Sequence, residues 1–209
     1  MDDHADYVRA EWRRYHEQGQ PLANLAARVV PAARRVLDVG CGAGQELLAY
    51  PQANTVGIDV RKSGILAGRA LFRERGLRVP SFLVGAAEQL PFASGAFDVL
   101  ICRLALPYTE VPRALAEMAR VLRPGGALVL QYHSIRYYLR RAMRARHPGE
   151  LAHALRVIAA GTAFELTGWQ AGEVFLLRRT FRRLLERAGI ELLDLDQRNP
   201  GAPLALARR

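Results

Sequence analysis

The chain has 209 residues, half of them hydrophobic and 24% charged, with 18 glycines and 11 prolines scattered as punctuation. That profile excludes collagen-like, coiled-coil and disordered classes, and the length favours a single domain with a sizeable core. The net charge of +10 is almost all arginine, Lys62 being the only lysine, and it is uneven: residues 1–134 carry 16 basic and 13 acidic side chains, whereas residues 135–209 carry 14 and 7.

Residues 1–33 read as a helical cover bearing Tyr7, Trp12 and Tyr15, and are too charged to be a secretory signal. Arg35–Val39 is the first strand and ends in Gly40-Cys41-Gly42-Ala43-Gly44, followed by a helical stretch over Gln45–Tyr50. Asn54–Ile58 is the second strand, ending at Asp59, with a helix through Leu66, Ala70 and Arg73 after it. Ser81–Val84 is the third. Phe97–Leu104 reads as a fourth strand buried on both faces, with Cys102 inert inside it. Cys41 and Cys102 are too few for a disulfide framework and lack metal-ligand spacing, so a reducing, cytoplasmic setting without a metal is expected.

A helix from Pro112 places Leu115, Met118, Ala119 and Leu122 on one face and stops at Pro124-Gly125-Gly126. The fifth strand, Ala127–Tyr132, leads into a basic helix, Ser134–Arg146, broken at His147-Pro148-Gly149. Glu150–Ala160 is a second helix and Gly161–Gly172 a looser stretch. A helix with Phe181, Leu184, Leu185 and Ala188 inward ends at Gly189. Ile190–Leu195 and Pro203–Ala207 close the chain as strands near enough to pair antiparallel. The alternation predicts an α/β domain built on one mostly parallel, seven-stranded sheet. It divides into the cover at 1–33, a core at 34–133, a helical lid insertion at 134–172 after the fifth strand, and a helix with two strands at 173–209.

Strand, glycine loop, helix and a second strand ending in an acid form a nucleotide-binding βαβ unit. Glycines let the backbone approach a ligand closely. Asp59, 19 residues after Gly40, is placed to accept from two ribose hydroxyls. Spacing then separates the cofactors: Gln45 stands where a dinucleotide loop needs its third glycine. At Val36-Leu37-Asp38-Val39-Gly40-Cys41-Gly42-Ala43-Gly44 the chain resembles class I S-adenosylmethionine-dependent methyltransferases. Three further segments follow in the family's order. They are Val56-Gly57-Ile58-Asp59, then Gly85-Ala86-Ala87-Glu88-Gln89-Leu90-Pro91-Phe92 running on to Phe97-Asp98-Val99-Leu100, then Leu122-Arg123-Pro124-Gly125-Gly126-Ala127-Leu128. The resemblance covers roughly residues 34–133 and is strongest to the ubiquinone/menaquinone-type small-molecule enzymes.

The resemblance implies a Rossmann-like fold with helices on both faces and an antiparallel last strand, S-adenosylmethionine as methyl donor, and a small-molecule acceptor. Asp38 with the backbone of Gly40, Gly42 and Gly44 would hold the methionyl end, and Asp59 the ribose. Ile58 and Val60 would flank the adenine, although simple core packing explains Ile58 equally well. Leu104 would offer backbone near the methionyl group. Ala86 departs from the family, which carries an acid there to receive the adenine amino group. Either Glu88 or a backbone carbonyl then takes that acid's place, or adenine is gripped less specifically; the backbone amides of Ala86 and Ala87 are the expected contact, with Glu88 capping or pairing locally.

Methyl transfer from a sulfonium needs alignment and exclusion of water more than a nucleophile on the protein. A general base helps only an acceptor that must lose a proton. His133, at the end of the fifth strand, and Tyr108, after the fourth, are the candidates, Tyr108 for shaping the pocket. Tyr132 finishes the fifth strand beside His133. Tyr137, Tyr138, Phe164 and Trp169 either line that pocket or pack the lid. Arg136, Arg140, Arg141, Arg144 and Arg146 fan around a helix expected to turn Leu139, Ala142 and Met143 inward. They read as a solvated face or as attraction to an anionic or lipid-like substrate, with nucleic acid the lesser candidate. An RNA-modifying enzyme and a catalytically inactive cofactor-binding regulator remain as alternatives. The acceptor atom and the oligomeric state are not legible.

Overall fold

Seven strands, Arg35–Val39 (β1), Asn54–Asp59 (β2), Ser81–Val84 (β3), Phe97–Arg103 (β4), Leu122–Gln131 (β5), Glu191–Asp196 (β6) and Leu204–Arg208 (β7), form one sheet in the order β3-β2-β1-β4-β5-β7-β6. The computed structural model describes residues 21–209 together with Ala10, Trp12, Arg13 and Glu17, which are helical. Tyr7 and Tyr15 lie outside the described residues. β1 to β5 pair in parallel, whereas β7 runs antiparallel between β5 and β6. The order reverses at β1, so a crevice opens between the carboxyl ends of β1 and β4, where ligands collect in such sheets.

The central strands are apolar on both sides because both faces are covered. Leu37, Val39, Leu100, Cys102, Leu128 and Leu130 face one layer, packed under Val111–Val121 (α3) and Arg178–Arg187 (α6). Val36, Val99, Ile101, Ala127 and Val129 face the other, against Leu22 and Ala26 of Pro21–Ala27 (α1). Lys62–Glu74 (α2) flanks β2 and β3, and its first residue, Lys62, is exposed. Trp12, 1% exposed, sits edge-on to Phe72 at 5.0 Å. The insertion after β5 is a pair of helices, Ile135–Met143 (α4) and Pro148–Thr167 (α5), joined by a small core of Tyr138, Val157 and Phe175, the last from the segment after α5. No helix among the described residues is long and apolar enough to cross a membrane.

Four details differ from the sequence reading. Gln45–Ala49 is a 3-10 turn and not a full helix, closed by Pro51 soon after. α3 ends at Val121 and β5 starts at Leu122, running through Pro124-Gly125-Gly126, because Leu122 already pairs with Phe97 across a bulge and Gly125 N–H donates to Arg209 O. Gly161 does not loosen α5, which continues to Thr167: a side chain at Gly161 would fall 2.3 Å from the Phe175 ring, so the bare position admits that ring. On α4 the inward residue is Tyr138, fully buried, whereas Leu139 and Met143 are 44% and 78% exposed. The helix packs on α5 and Phe175 through Ile135, Tyr137 and Tyr138, with Ala142 half-buried, a stripe rotated from the one its aliphatic residues mark.

Candidate active site

β1 ends in a loop that depends on glycine. Gly40 and Gly42 have φ of 72° and 53°, the left-handed region that L-residues with a side chain avoid. The Ile58 carbonyl accepts from both Gly40 N–H (2.8 Å) and Cys41 N–H (3.1 Å), tying the loop to the end of β2. Asp59 Oδ2 then accepts from Gly42 N–H and Oδ1 from Arg61 N–H, each at 2.8 Å. The carboxylate expected to meet a ribose is therefore also what shapes the loop. A Cβ on Gly42 would meet nothing within 4 Å, so the loop presents bare backbone to an open space beside Asp59.

Asp38 is 2% exposed at the foot of this space. Burial holds its carboxyl well above the ordinary value, Glu46 adds to that, Arg103 opposes it and Asp59 raises it further. Arg103 Nε lies 2.9 Å from Glu46 Oε1. Arg103 thus pairs with Glu46 and acts on Asp38, while Asp59 adds a third carboxyl near Asp38, an acid-rich surround that suits a ligand carrying an ammonium and a sulfonium. Glu46 and Arg103 carry no signal in the sequence, where the one is two residues past Gly44 and the other a charge ending an apolar strand. Loop, open cradle and anionic surround fit the adenosyl cofactor that the resemblance implies.

The other expected contacts fall around the same crevice. Leu104 has φ of 59°, a strained conformation for a leucine that costs about 1–2 kcal/mol, and its N–H donates to Gln131 O across 2.7 Å. Val60 is 65% exposed at the exit of β2. Ile58 is 1% exposed, so its side chain belongs to the core while its carbonyl serves the loop. Ala86 and Ala87 follow Gly85, whose N–H donates to Asp59 O. Glu88 Oε1 accepts from Glu110 N–H at the start of α3, a capping contact made 22 residues along the chain and not a local one. Cys41 and Cys102 are buried, and burial lifts both thiols, Cys102 to about 12.

A second cluster gathers at the carboxyl ends of β4 and β5 under α4 and α5. His133 is 8% exposed and stacks on Tyr137, ring centroids 3.7 Å apart and planes within 4°. Burial lowers its pKa to about 4 against the pull of Glu173, so the ring is neutral near pH 7. Tyr138 Oη donates to Glu173 Oε1 at 2.6 Å and lies 3.4 Å from His133 Nδ1. Glu173 Oε2 is 3.3 Å from His153 Nε2. Tyr108 is 59% exposed, yet burial of its hydroxyl end and then Glu173 raise its pKa. Tyr132 is buried against Phe181 and Phe164 joins the main core, so both pack. Trp169, by contrast, is 67% exposed. Glu173, placed by Val174 N–H on Pro107 O, had no signal in the sequence; its partners come from separate segments of the chain.

The arginines define two cationic surfaces. On α4, Arg136, Arg140 and Arg144 are exposed beside Leu139 and Met143. Along α6, Arg178, Arg179, Arg182 and Arg183 line a shallow groove with Glu186.

The methyltransferase-domain family matches residues 37–130, which span the loop, Asp59 and β4 to β5. The chain is 30% identical over 205 residues to methyltransferase GfsG of Streptomyces halstedii, covering 89% of this chain and 68% of that one. It is 40% identical over 105 residues to the ubiquinone/menaquinone biosynthesis C-methyltransferase UbiE of Dinoroseobacter shibae, covering 47% of this chain and 42% of that one. It thus spans about two fifths of the length of UbiE and of other curated relatives it matches. The crystal structure of YcgJ from Bacillus subtilis superposes with a TM-score of 0.62 at 24% identity, over 85% of this chain and 71% of that one, which is a likeness of fold.

Proposed function

Because this chain belongs to the class I S-adenosylmethionine-dependent methyltransferases, we propose that it transfers a methyl group to a small-molecule acceptor lodged at the carboxyl ends of β4 and β5. S-adenosylmethionine, when bound, supplies an activated methyl on a sulfonium whose departure leaves a neutral thioether. The chain's own part is to bind, orient and keep dry. Asp38 receives the methionyl ammonium beside Glu46 and Arg103, and the bare backbone of Gly40, Gly42 and Gly44 lets the methionyl chain lie close. Asp59 receives the ribose hydroxyls, Val60 bounds the adenine, and the amides of Ala86 and Ala87 read its edge. Leu104 offers backbone near the methionyl group. α4 and α5 exclude water, and Tyr108 shapes the acceptor pocket. His133, neutral and stacked, accepts the proton of an acceptor that must lose one.

The observation that carries this reading is the open space over Gly42, walled by Asp59 and backed by a surplus of carboxylate. Calorimetric titration with S-adenosylmethionine, S-adenosylhomocysteine and NAD tests it. The first two are expected to bind and the dinucleotide is not; a dinucleotide held in their place sinks the proposal.

For the acceptor, the arginines of α4 with exposed Leu139 and Met143 among them support an anionic or lipid-like compound. The names of relatives such as UbiE, acting in quinone biosynthesis, point the same way. RNA is not favoured, since the basic faces lack interleaved aromatic platforms. An inactive regulator is not favoured either, as the polar cluster at His133 has no use in a protein that only holds the cofactor. We further propose that residues 1–209 work as one domain in the cytoplasm.

A further inference from the structure

The groups around His133 leave a question of protons that the donor–acceptor geometry answers. Tyr138 has a single proton. Burial first and the bond to Glu173 next hold its pKa above the ordinary value, so the phenol stays protonated. That proton is committed to Glu173 Oε1 across 2.6 Å, a short bond to a carboxylate. The Tyr138 oxygen then has only lone pairs to offer His133 Nδ1, 3.4 Å away. A lone pair on Nδ1 would face a lone pair on oxygen; a proton on Nδ1 would meet one. Stacking on Tyr137, which is itself held by Arg141 Nη1 on its hydroxyl at 3.2 Å, fixes the plane in which the ring can turn.

We infer that Glu173 is a positioning residue: by holding the Tyr138 proton it sets His133 in the Nδ1–H tautomer and leaves the Nε2 lone pair free for a proton arriving from the acceptor. Neutral histidine in water prefers the other tautomer, with the proton on Nε2, in which that nitrogen is a donor and can take nothing. His133 Nε2 makes no hydrogen bond among the described residues. The chemical class of acceptor follows: a compound that carries a hydroxyl or a comparably acidic proton and gives it up as its oxygen or carbon forms the bond to methyl. In that step the acceptor's proton passes to Nε2, the acceptor's electron pair forms the new carbon bond, and the donor sulfur keeps the pair of the bond that breaks. The charged and titratable groups around the ring are Glu173, Arg141, Tyr108, Tyr137 and Tyr138, with His153 on the far oxygen of Glu173. This inference rests on the methyltransferase reading for its purpose, but not for its test.

Long-range 1H–15N correlation spectra of the imidazoles, near neutral pH and without cofactor, read the tautomer directly, His133 being assigned by the loss of its signals in His133→Gln. The wild type is expected to show Nδ1–H. Tyr138→Phe removes the acceptor, and Glu173→Leu frees the Tyr138 proton to turn onto Nδ1, so both are expected to switch His133 to Nε2–H. Glu173→Gln keeps an oxygen for Tyr138 and is expected to retain Nδ1–H. A role in packing alone would not give opposite results for Leu and Gln at one position. Nε2–H in the wild type, or Nδ1–H persisting in either switching variant that keeps a dispersed amide spectrum, overturns the inference; Tyr138→Phe carries the test if Glu173→Leu does not fold. Calorimetry with S-adenosylmethionine separates the two claims. The expected tautomers without cofactor binding would remove the methyltransferase reading alone, and cofactor binding with the wrong tautomers would remove this one alone.

Discussion

A Cβ on Gly40 would fall 2.1 Å from the Cβ of Ala105, so the end of β1 and the residue after strained Leu104 meet with no room for a methyl group between them. The cradle and the exit of β4 are thereby locked to each other. Gly40→Ala is expected to suffer twice, from the left-handed φ and from the collision, losing more than about 2 kcal/mol of stability. Urea denaturation checks the size, and calorimetry checks that S-adenosylmethionine binding disappears. Unchanged stability in the Gly40→Ala variant would mean that β1 and β4 are not held this closely.

Asp59 has two tasks, and its removal should expose both. Asp59→Ala takes away the acceptor for Gly42 N–H and the proposed acceptor for the ribose. The loss expected of charge-linked hydrogen bonds, about 1.5–3 kcal/mol, corresponds to roughly 10- to 150-fold weaker binding. Asp59→Asn keeps an oxygen for Gly42 and should fall between. Wild-type affinity in the alanine variant would remove Asp59 from the site.

His133 makes stability depend on pH with a definite sign. Its pKa is lowered to about 4 by burial, whereas the unfolded chain protonates histidine near the ordinary ~6.5. Between these values the unfolded state holds more protons, so stability rises with pH across the window. The contribution is complete above ~6.5, falls as pH drops towards about 4, and is gone below that; its full size is roughly 3 kcal/mol. At Asp98 burial pushes the carboxyl up, but the Arg34 and Arg35 amides and the Arg123 side chain outweigh it and leave the pKa lowered, so its contribution is lost only in more acid solution. Urea midpoints across the window should therefore slope for the wild type and flatten for His133→Gln. Parallel curves would place His133 in contact with water.

The proposal of a lipid-like acceptor makes a prediction about surfaces. Vesicles containing phosphatidylglycerol should sediment with the protein, less so as salt is raised, because Arg136, Arg140 and Arg144 surround exposed Leu139 and Met143. Leu139→Asp with Met143→Asp should abolish it while leaving the fold intact, since neither side chain is buried. Sedimentation that ignores both salt and these substitutions would favour a soluble acceptor.

The βαβ unit and the mostly parallel sheet are legible because they are written locally: glycines at fixed offsets, an acid at the end of β2, and apolar runs of strand length. The insertion after β5 is legible only as two helices. A helical repeat says that a stripe is buried but not which one, and α4 carries an aliphatic stripe at Leu139 and Met143 as well as the Tyr138 stripe that it uses. Burial of Tyr138 is tolerable because Glu173, 35 residues on, takes its hydroxyl. Gly161 misleads for the same reason, since the ring that fills its missing side chain comes from Phe175, beyond the end of α5. Glu46 with Arg103, and Glu173 with His153, are pairings of tertiary structure that no spacing announces.

With a lone lysine in the sequence, exposed at the first residue of α2 and three positions beyond Asp59, the molecule carries a natural address for chemistry at amines. The α-amino group, the less basic of the two kinds of amine in peptides generally, can first be acetylated in mildly acidic solution. A fluorophore coupled afterwards through an active ester in alkaline solution would sit beside the rim of the glycine loop. Occupancy of the cradle would then be legible as a change in emission, without a radioactive donor and without knowing the acceptor.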